Sequence, residues 1–161
     1  MKLGRDFFER PTLLVAKELL GKYIVFNDKS GRITEVEAYV GKDDPACHAA
    51  RGMTPRNKVM FGSAGYSYVY FIYGMYHCLN FVTEKEGFPA AVLIRAVETI
   101  DGPGKLCKIF GIGREHSEID LCESENFYVE DRGYRVAKIK ASSRIGIKVG
   151  LDKMWRFVEE L

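Results

Sequence analysis

Glu37 and Tyr39 stand two residues apart in the otherwise apolar stretch Val36-Glu37-Ala38-Tyr39-Val40. On an extended strand, positions i and i+2 share a face, so this carboxylate and this ring point the same way. A carboxylate among apolar neighbours is a candidate general base; the plainer alternatives are a surface glutamate or one satisfied by a buried arginine. A second feature is the run of Tyr66, Tyr68, Tyr70, Tyr73 and Tyr76. Tyrosines suit a half-buried sheet face. At the presumed hairpin tip, however, Tyr73-Gly74-Met75-Tyr76 replaces the small polar residues of an ordinary turn. Apolar side chains on a projecting tip suit insertion, for instance between base pairs. A third feature is Arg51, Arg56 and Lys58 in the acid-free stretch 51–58. It fits phosphate contacts, and equally a solvated loop.

Other patterns carry less. Gly102-Pro103-Gly104-Lys105 resembles an anion cradle in outline but lacks the spacing of a P-loop, although a helix start there can still meet a phosphate. Cys47 and His48 are adjacent and poorly placed to act as nucleophile and base. Cys47, Cys78, Cys107 and Cys122 form no CxxC pair, and His48, His77 and His116 have no ligand spacing. No protein-bound metal is expected, and a reduced, intracellular protein is the default.

These residues need elements to hold them. Pro11–Leu20 reads as a short helix with Leu13, Leu14, Lys17 and Leu20 on its buried stripe and Gly21 as its stop. Tyr23–Phe26 is a strand, 27–31 a turn, and Ile33–Val40 a second strand. Its alternation puts Thr34, Val36, Ala38 and Val40 on one face and Ile33, Glu35, Glu37 and Tyr39 on the other. A long loop runs from Gly41 to about Gly65, and long loops are often functional. Tyr66–Tyr73 and Tyr76–Thr83 read as a hairpin, Ala90–Val97 as a strand, and Pro103–Phe110 as a helix ended by Gly111. Phe127–Val129 and Arg135–Val149 are expected to add strand, and Lys153–Leu161 a closing helix. The expectation is α+β: one compact domain over 1–161, a curved antiparallel sheet with a protruding aromatic hairpin and a few flanking helices.

Composition agrees. The chain has 161 residues, 47% hydrophobic and 29% charged, which excludes a collagen, a disordered tail and a disulfide miniprotein. No apolar run approaches the roughly 20 residues of a membrane span, and no secretory signal pattern appears. The net charge of +2 conceals an uneven layout. Glu115–Asp131 holds seven acids and no Lys or Arg, whereas Arg132–Lys153 holds seven bases and one acid. Such a layout can hide a basic face, and it equally fits two solvated surfaces; with a nucleic-acid partner, the basic run and the residues near the hairpin are the candidates for its face and the acidic stretch is expected away from it.

Taken together, several blocks resemble the alkyladenine (3-methyladenine) DNA glycosylase family, of mammalian type with bacterial members. They are Thr34-Glu35-Val36-Glu37-Ala38-Tyr39-Val40-Gly41, His48, Met53-Thr54-Pro55-Arg56-Asn57, and above all Tyr68-Val69-Tyr70-Phe71-Ile72-Tyr73-Gly74-Met75-Tyr76-His77-Cys78-Leu79-Asn80. Ala91–Ala96 and Gly102–Cys107 follow in family order, so the resemblance covers most of residues 5–112 and is weak from Gly113 to Leu161. The resemblance implies a monofunctional enzyme that flips an alkylated or deaminated purine from duplex DNA and leaves an abasic site. Glu37 matches the base that activates water, and Arg95 the arginine that helps hold it. Tyr39, His48 and Tyr70 match the walls around the flipped base, and Asn80 the residue that discriminates against the guanine amino group. Tyr73 matches the side chain that fills the vacated gap, and Met75 another hairpin contact with DNA. His77 departs from the expected apolar aromatic. No lysine falls at a matched pocket position, so water rather than a Schiff base is the expected nucleophile. No cofactor is implied, and a monomer clamping double-stranded DNA is expected.

Two other readings stay open. A non-catalytic nucleic-acid-binding module would use the aromatic hairpin for stacking but has no use for a buried base. A small-molecule hydrolase using Glu37 and His48 leaves the projecting Tyr73 unexplained.

Overall fold

A computed structural model describes all 161 residues. The elements in chain order are α1 (Arg5–Phe8), α2 (Thr12–Leu19), β1 (Tyr23–Phe26), β2 (Lys29–Val40), β3 (Ser67–Ile72), β4 (Tyr76–Val82), β5 (Ala90–Val97), β6 (Ile100–Asp101), α3 (Pro103–Phe110), β7 (Phe127–Glu130), β8 (Ile139–Ser142) and β9 (Arg156–Glu159). The nine strands form one curled antiparallel sheet, ordered β3-β4-β5-β2-β1-β7, with β6 beside β5 and the β8–β9 pair beside β2. The fold is therefore α+β, as the patterning implies.

Strand alternation divides the sheet into two working faces. Val36 and Ala38, Val69, Leu79 and Phe81, and Val92 and Ile94 join the main core beneath the helices. The intervening residues Tyr68 and Tyr70, Cys78 and Val82, and Ala91 and Leu93 form a second, smaller apolar cluster, with Tyr39 packed on it. Tyr68 pairs with Asn80, Asn80 with Leu93 and Leu93 with Glu37. One row of side chains therefore crosses four strands on that second face.

Four local expectations are corrected. Ile33 lies in the main core with Val36, not on the face of Glu35 and Glu37. The register against β5 shifts between Ile33 and Val36, and a bulge of this kind turns the preceding residues to the opposite face. Helix α2 buries Thr12, Val15, Ala16 and Leu19; of the expected stripe, Leu20 is buried just past the helix and Leu13 packs partly on the core, whereas Leu14 and Lys17 are exposed. The Thr12 hydroxyl donates to the Glu84 carboxylate at 2.6 Å and lies 3.0 Å from Thr83 Oγ1, on the same side as the buried Val15, Ala16 and Leu19. Lys153–Leu161 contains strand β9, Arg156–Glu159, and no helix. It pairs with Glu35–Glu37 of β2, and Arg156 Nε donates to Glu35 at 2.7 Å. Within Arg135–Val149 only Ile139–Ser142 is strand. Beyond it Arg144 turns into the protein, and Gly146 and Gly150 take left-handed φ of 76° and 75°, which ends any extended run.

The charge layout also needs correction. Arg144 is fully buried, so it belongs to no nucleic-acid face. Arg132 and Arg135 pair with Glu130 and Asp131, which joins the two runs at their boundary instead of separating them. No helix is long and apolar enough to cross a membrane.

Candidate active site

The second sheet face opens into a cavity of about 570 Å³, within the ~300–1,000 Å³ usual for ligand sites. Tyr39, His48, Tyr70, Tyr73, Asn80 and Arg95 all line it, so one space unites residues from β2, β3, β4, β5, a loop and the hairpin tip. Met75, Arg51, Arg56 and Lys58 are not in the lining; all four are exposed. Arg56 nonetheless reaches the wall. It donates to the Phe71 carbonyl at 2.8 Å and lies 5.5 Å from the Tyr70 ring centre.

Glu37 sits behind this wall with no solvent exposure. Tyr39 Oη donates to Glu37 Oε1 at 2.8 Å, and the Ile145 backbone N–H donates to Oε2 at 2.8 Å. Arg95 Nε is 3.7 Å from Oε2 but 2.9 Å from Glu35, so Glu35 is its closer partner. Tyr39, Arg95 and Ile145 line the cavity in front of the carboxylate. Water reaches Glu37 only where they yield. Burial, then the Glu37 charge, pushes the Tyr39 phenol far above its ordinary range, so it remains a donor.

The rings in the walls are uncharged, although Arg95 and Lys105 also line the cavity. The His48 ring centre lies 4.4 Å from that of Tyr70 and 6.0 Å from that of Tyr68, and His48 Nδ1 is 3.0 Å from the Tyr68 hydroxyl. One side of His48 is open to solvent. Desolvation on its packed side, then Arg56, still holds its pKa below the ordinary histidine value. Burial pushes Tyr68 up to about 12 and Tyr70 higher still. Asn80 donates from Nδ2 to the carbonyls of Tyr68 (3.2 Å) and Cys78 (3.4 Å), which holds the amide in the floor.

The hairpin tip is strained. Tyr73 and Gly74 have φ of 56° and 63°, and Met75 N–H closes a turn onto the Ile72 carbonyl at 3.1 Å. Positive φ at both central positions is the I′ hairpin geometry, in which Asn or Gly is usual and a bulky residue is an outlier. Tyr73 adopts it while 72% exposed. Strain of this kind collects where function demands a side chain.

Sequence reading missed several lining residues. Tyr68 follows from its alternation with Tyr70, and Gly104 and Lys105 lay in a segment recognised only as a cradle outline. A Cβ on Gly104 would lie 2.6 Å from the Tyr76 ring, so glycine lets that ring close on the start of α3. Ile145, Gly146 and Ile147 carry no local signal at all.

A family model, Methylpurine-DNA glycosylase (MPG), matches residues 6–102 and 99–160. The chain belongs to the methylpurine-DNA glycosylase family. The match runs through the C-terminal third, where motif resemblance is weak. Relatives named "Putative 3-methyladenine DNA glycosylase" agree. The one from Sodalis glossinidius is 59% identical, covering 96% of this chain and 95% of its own. That from Rickettsia felis is 55% identical (97% and 92%), and that from Wolbachia sp. subsp. Brugia malayi 58% (96% and 95%). This glycosylase is thus an enzyme of the DNA-3-methyladenine glycosylase type, a DNA repair hydrolase whose substrate is DNA.

Proposed function

We propose that this glycosylase flips an alkylated or deaminated purine out of duplex DNA and hydrolyses its N-glycosidic bond with a water activated by Glu37. The observation that carries the reading is the buried Glu37 carboxylate, held by two 2.8 Å hydrogen bonds behind a cavity walled by Tyr39, His48 and Tyr70. A target atom inside a duplex is out of reach, and a damaged base costs less to unstack than a normal one. Tyr73 fills the vacated space. The purine stacks among Tyr39, His48 and Tyr70, and Asn80 reads its edge. Neutral, electron-rich rings favour a cationic alkylated base by roughly 0.5–2 kcal/mol.

Glu37, with Arg95, takes a proton from water as the oxygen attacks the sugar C1′ and the base leaves with the electron pair of the broken C–N bond. The carboxylate also opposes the positive charge that develops on the sugar. Met75, Arg51, Arg56 and Lys58 contact the DNA backbone and grooves outside the cavity. The product is an abasic site in an unbroken strand.

Duplexes holding one methylated or deaminated purine are incubated with the protein and assayed for abasic sites. Their absence for every damaged purine overturns the reading. Lys105 in the lining makes a second measurement informative. Borohydride should trap no protein–DNA adduct, and an adduct lost in Lys105→Ala would replace water by an amine nucleophile.

A further inference from the structure

We propose that the buried Asp44–Arg144 ion pair positions the Glu37 carboxylate and two walls of the cavity, and so governs bond cleavage rather than DNA capture. The proposal rests on the role of Glu37 given above.

Both side chains are wholly buried. Arg144 Nη1 bonds Asp44 Oδ2 at 2.6 Å and the Ala38 carbonyl at 2.9 Å; Nη2 bonds Asp44 Oδ1 at 2.8 Å and the Gly150 carbonyl at 3.4 Å. The guanidinium lies 4.7 Å from the Tyr39 ring centre and 5.2 Å from that of Trp155. The Asp44 oxygens also accept from the backbone N–H groups of Val40 (3.0 Å) and Ala46 (3.1 Å).

The pair therefore joins three segments: the end of β2, the loop that leads through Ala46 to His48, and the loop that begins at Ile145. Two of the three groups around the Glu37 carboxylate depend on it. Ile145, whose N–H holds Oε2, directly follows Arg144, and Tyr39, whose hydroxyl holds Oε1, stacks on its guanidinium. Only Arg95 approaches independently. Ala46, Ile145, Gly146 and Ile147, the cavity residues beside the pair, belong to the two loops that it ties down.

Energetics favour a geometric role. A buried ion pair is often no more stabilising than well-packed apolar residues of the same volume. Arg144 Nε is, besides, the one buried side-chain polar atom in the structure without a partner. An arrangement that leaves a buried donor unpaired is set by where the other four bonds must go.

Arg144→Lys keeps the charge but loses the planar fork, and Asp44→Asn keeps the shape but loses the charge. Each variant is compared with wild type for single-turnover excision at saturating protein and for affinity toward a duplex with an uncleavable abasic analogue. Emission of Trp155, the only tryptophan, reports local packing. The expected result is a rate loss of roughly ten- to hundredfold, with affinity within about twofold of wild type. Free guanidinium should restore rate to Arg144→Gly and return its Trp155 emission toward wild type.

Wild-type rates in both folded variants overturn the proposal. So do parallel losses of rate and affinity, or failure of both variants to fold even in the cold, which would make the pair a requirement of the fold. A wild-type chain inactive on every damaged purine is a separate outcome: it removes the glycosidic mechanism, and the proposal with it.

Discussion

Replacing Glu37 with Gln separates the chemistry from the fold with little disturbance. The two oxygens accept from Ile145 N–H and the Tyr39 hydroxyl. The amide N–H cannot reverse its role, so the glutamine oxygen faces Ile145 and its NH2 faces Tyr39, whose hydroxyl can rotate to accept. Arg95 is not stranded, because its Nε already lies 2.9 Å from Glu35. Shape, cavity and hairpin are retained, so the variant should melt near wild type and bind a duplex with a methylated purine at least as tightly. Loss of a general base typically costs 10²–10⁴ in rate, or about 3–5 kcal/mol of barrier. The assay is single-turnover excision with excess protein. The strand is cleaved by alkali at abasic sites and resolved on a denaturing gel, with binding measured separately by gel shift. Excision within about tenfold of wild type would remove Glu37 from the base role. A loss of binding equal to the loss of rate would show instead that the carboxylate serves capture.

Tyr73→Gly should raise the melting temperature, since a left-handed bulky residue costs roughly 1–2 kcal/mol, yet slow excision from duplex DNA; a lower melting temperature contradicts the strain, and unchanged excision contradicts the wedge role. Asn57 is buried and bonds the backbone of His48 (2.9 Å), Gly52 (3.1 Å) and Thr54 (2.7 Å), so Asn57→Ala should cost about 3 kcal/mol by urea unfolding and loosen the His48 wall; a cost below about 1 kcal/mol argues against it. His48 is held below the ordinary value, so the unfolded chain takes up its proton first: the stability this contributes is complete above about pH 6.5 and is lost as pH falls through the lowered value. His48→Phe should therefore lose less melting temperature than wild type between pH 7.5 and 5, and equal losses would contradict that assignment.

Much of the cavity was legible locally because a strand's period of two is indifferent to what it packs against. Glu37 and Tyr39 on β2, and Tyr70 and Asn80 on the hairpin, fall on the cavity side by parity alone. The helix Pro103–Phe110 was legible from its proline start and glycine stop, and the hairpin from its β-prone tyrosines. Parity failed at Ile33, where a bulge unmarked by Gly or Pro resets the face. Propensity failed at Lys153–Leu161, where the free flank of β2 beside Glu35–Glu37 imposes strand on a segment that reads as helix.

By itself, then, the sequence determined the family resemblance through its motif blocks and the α+β class through its alternating elements, and it put Glu37, Tyr39, Tyr70 and Asn80 on one face of the sheet, since that parity depends only on neighbours two residues apart. Tertiary structure alone decided that Arg144 is buried on Asp44, 100 residues away, and that Ile145 lends its N–H to Glu37 across 108. Such contacts arise when a curled sheet brings its C-terminal loop over its own concave face. No local period encodes that closure, because the partners lie 100 residues or more apart in the chain.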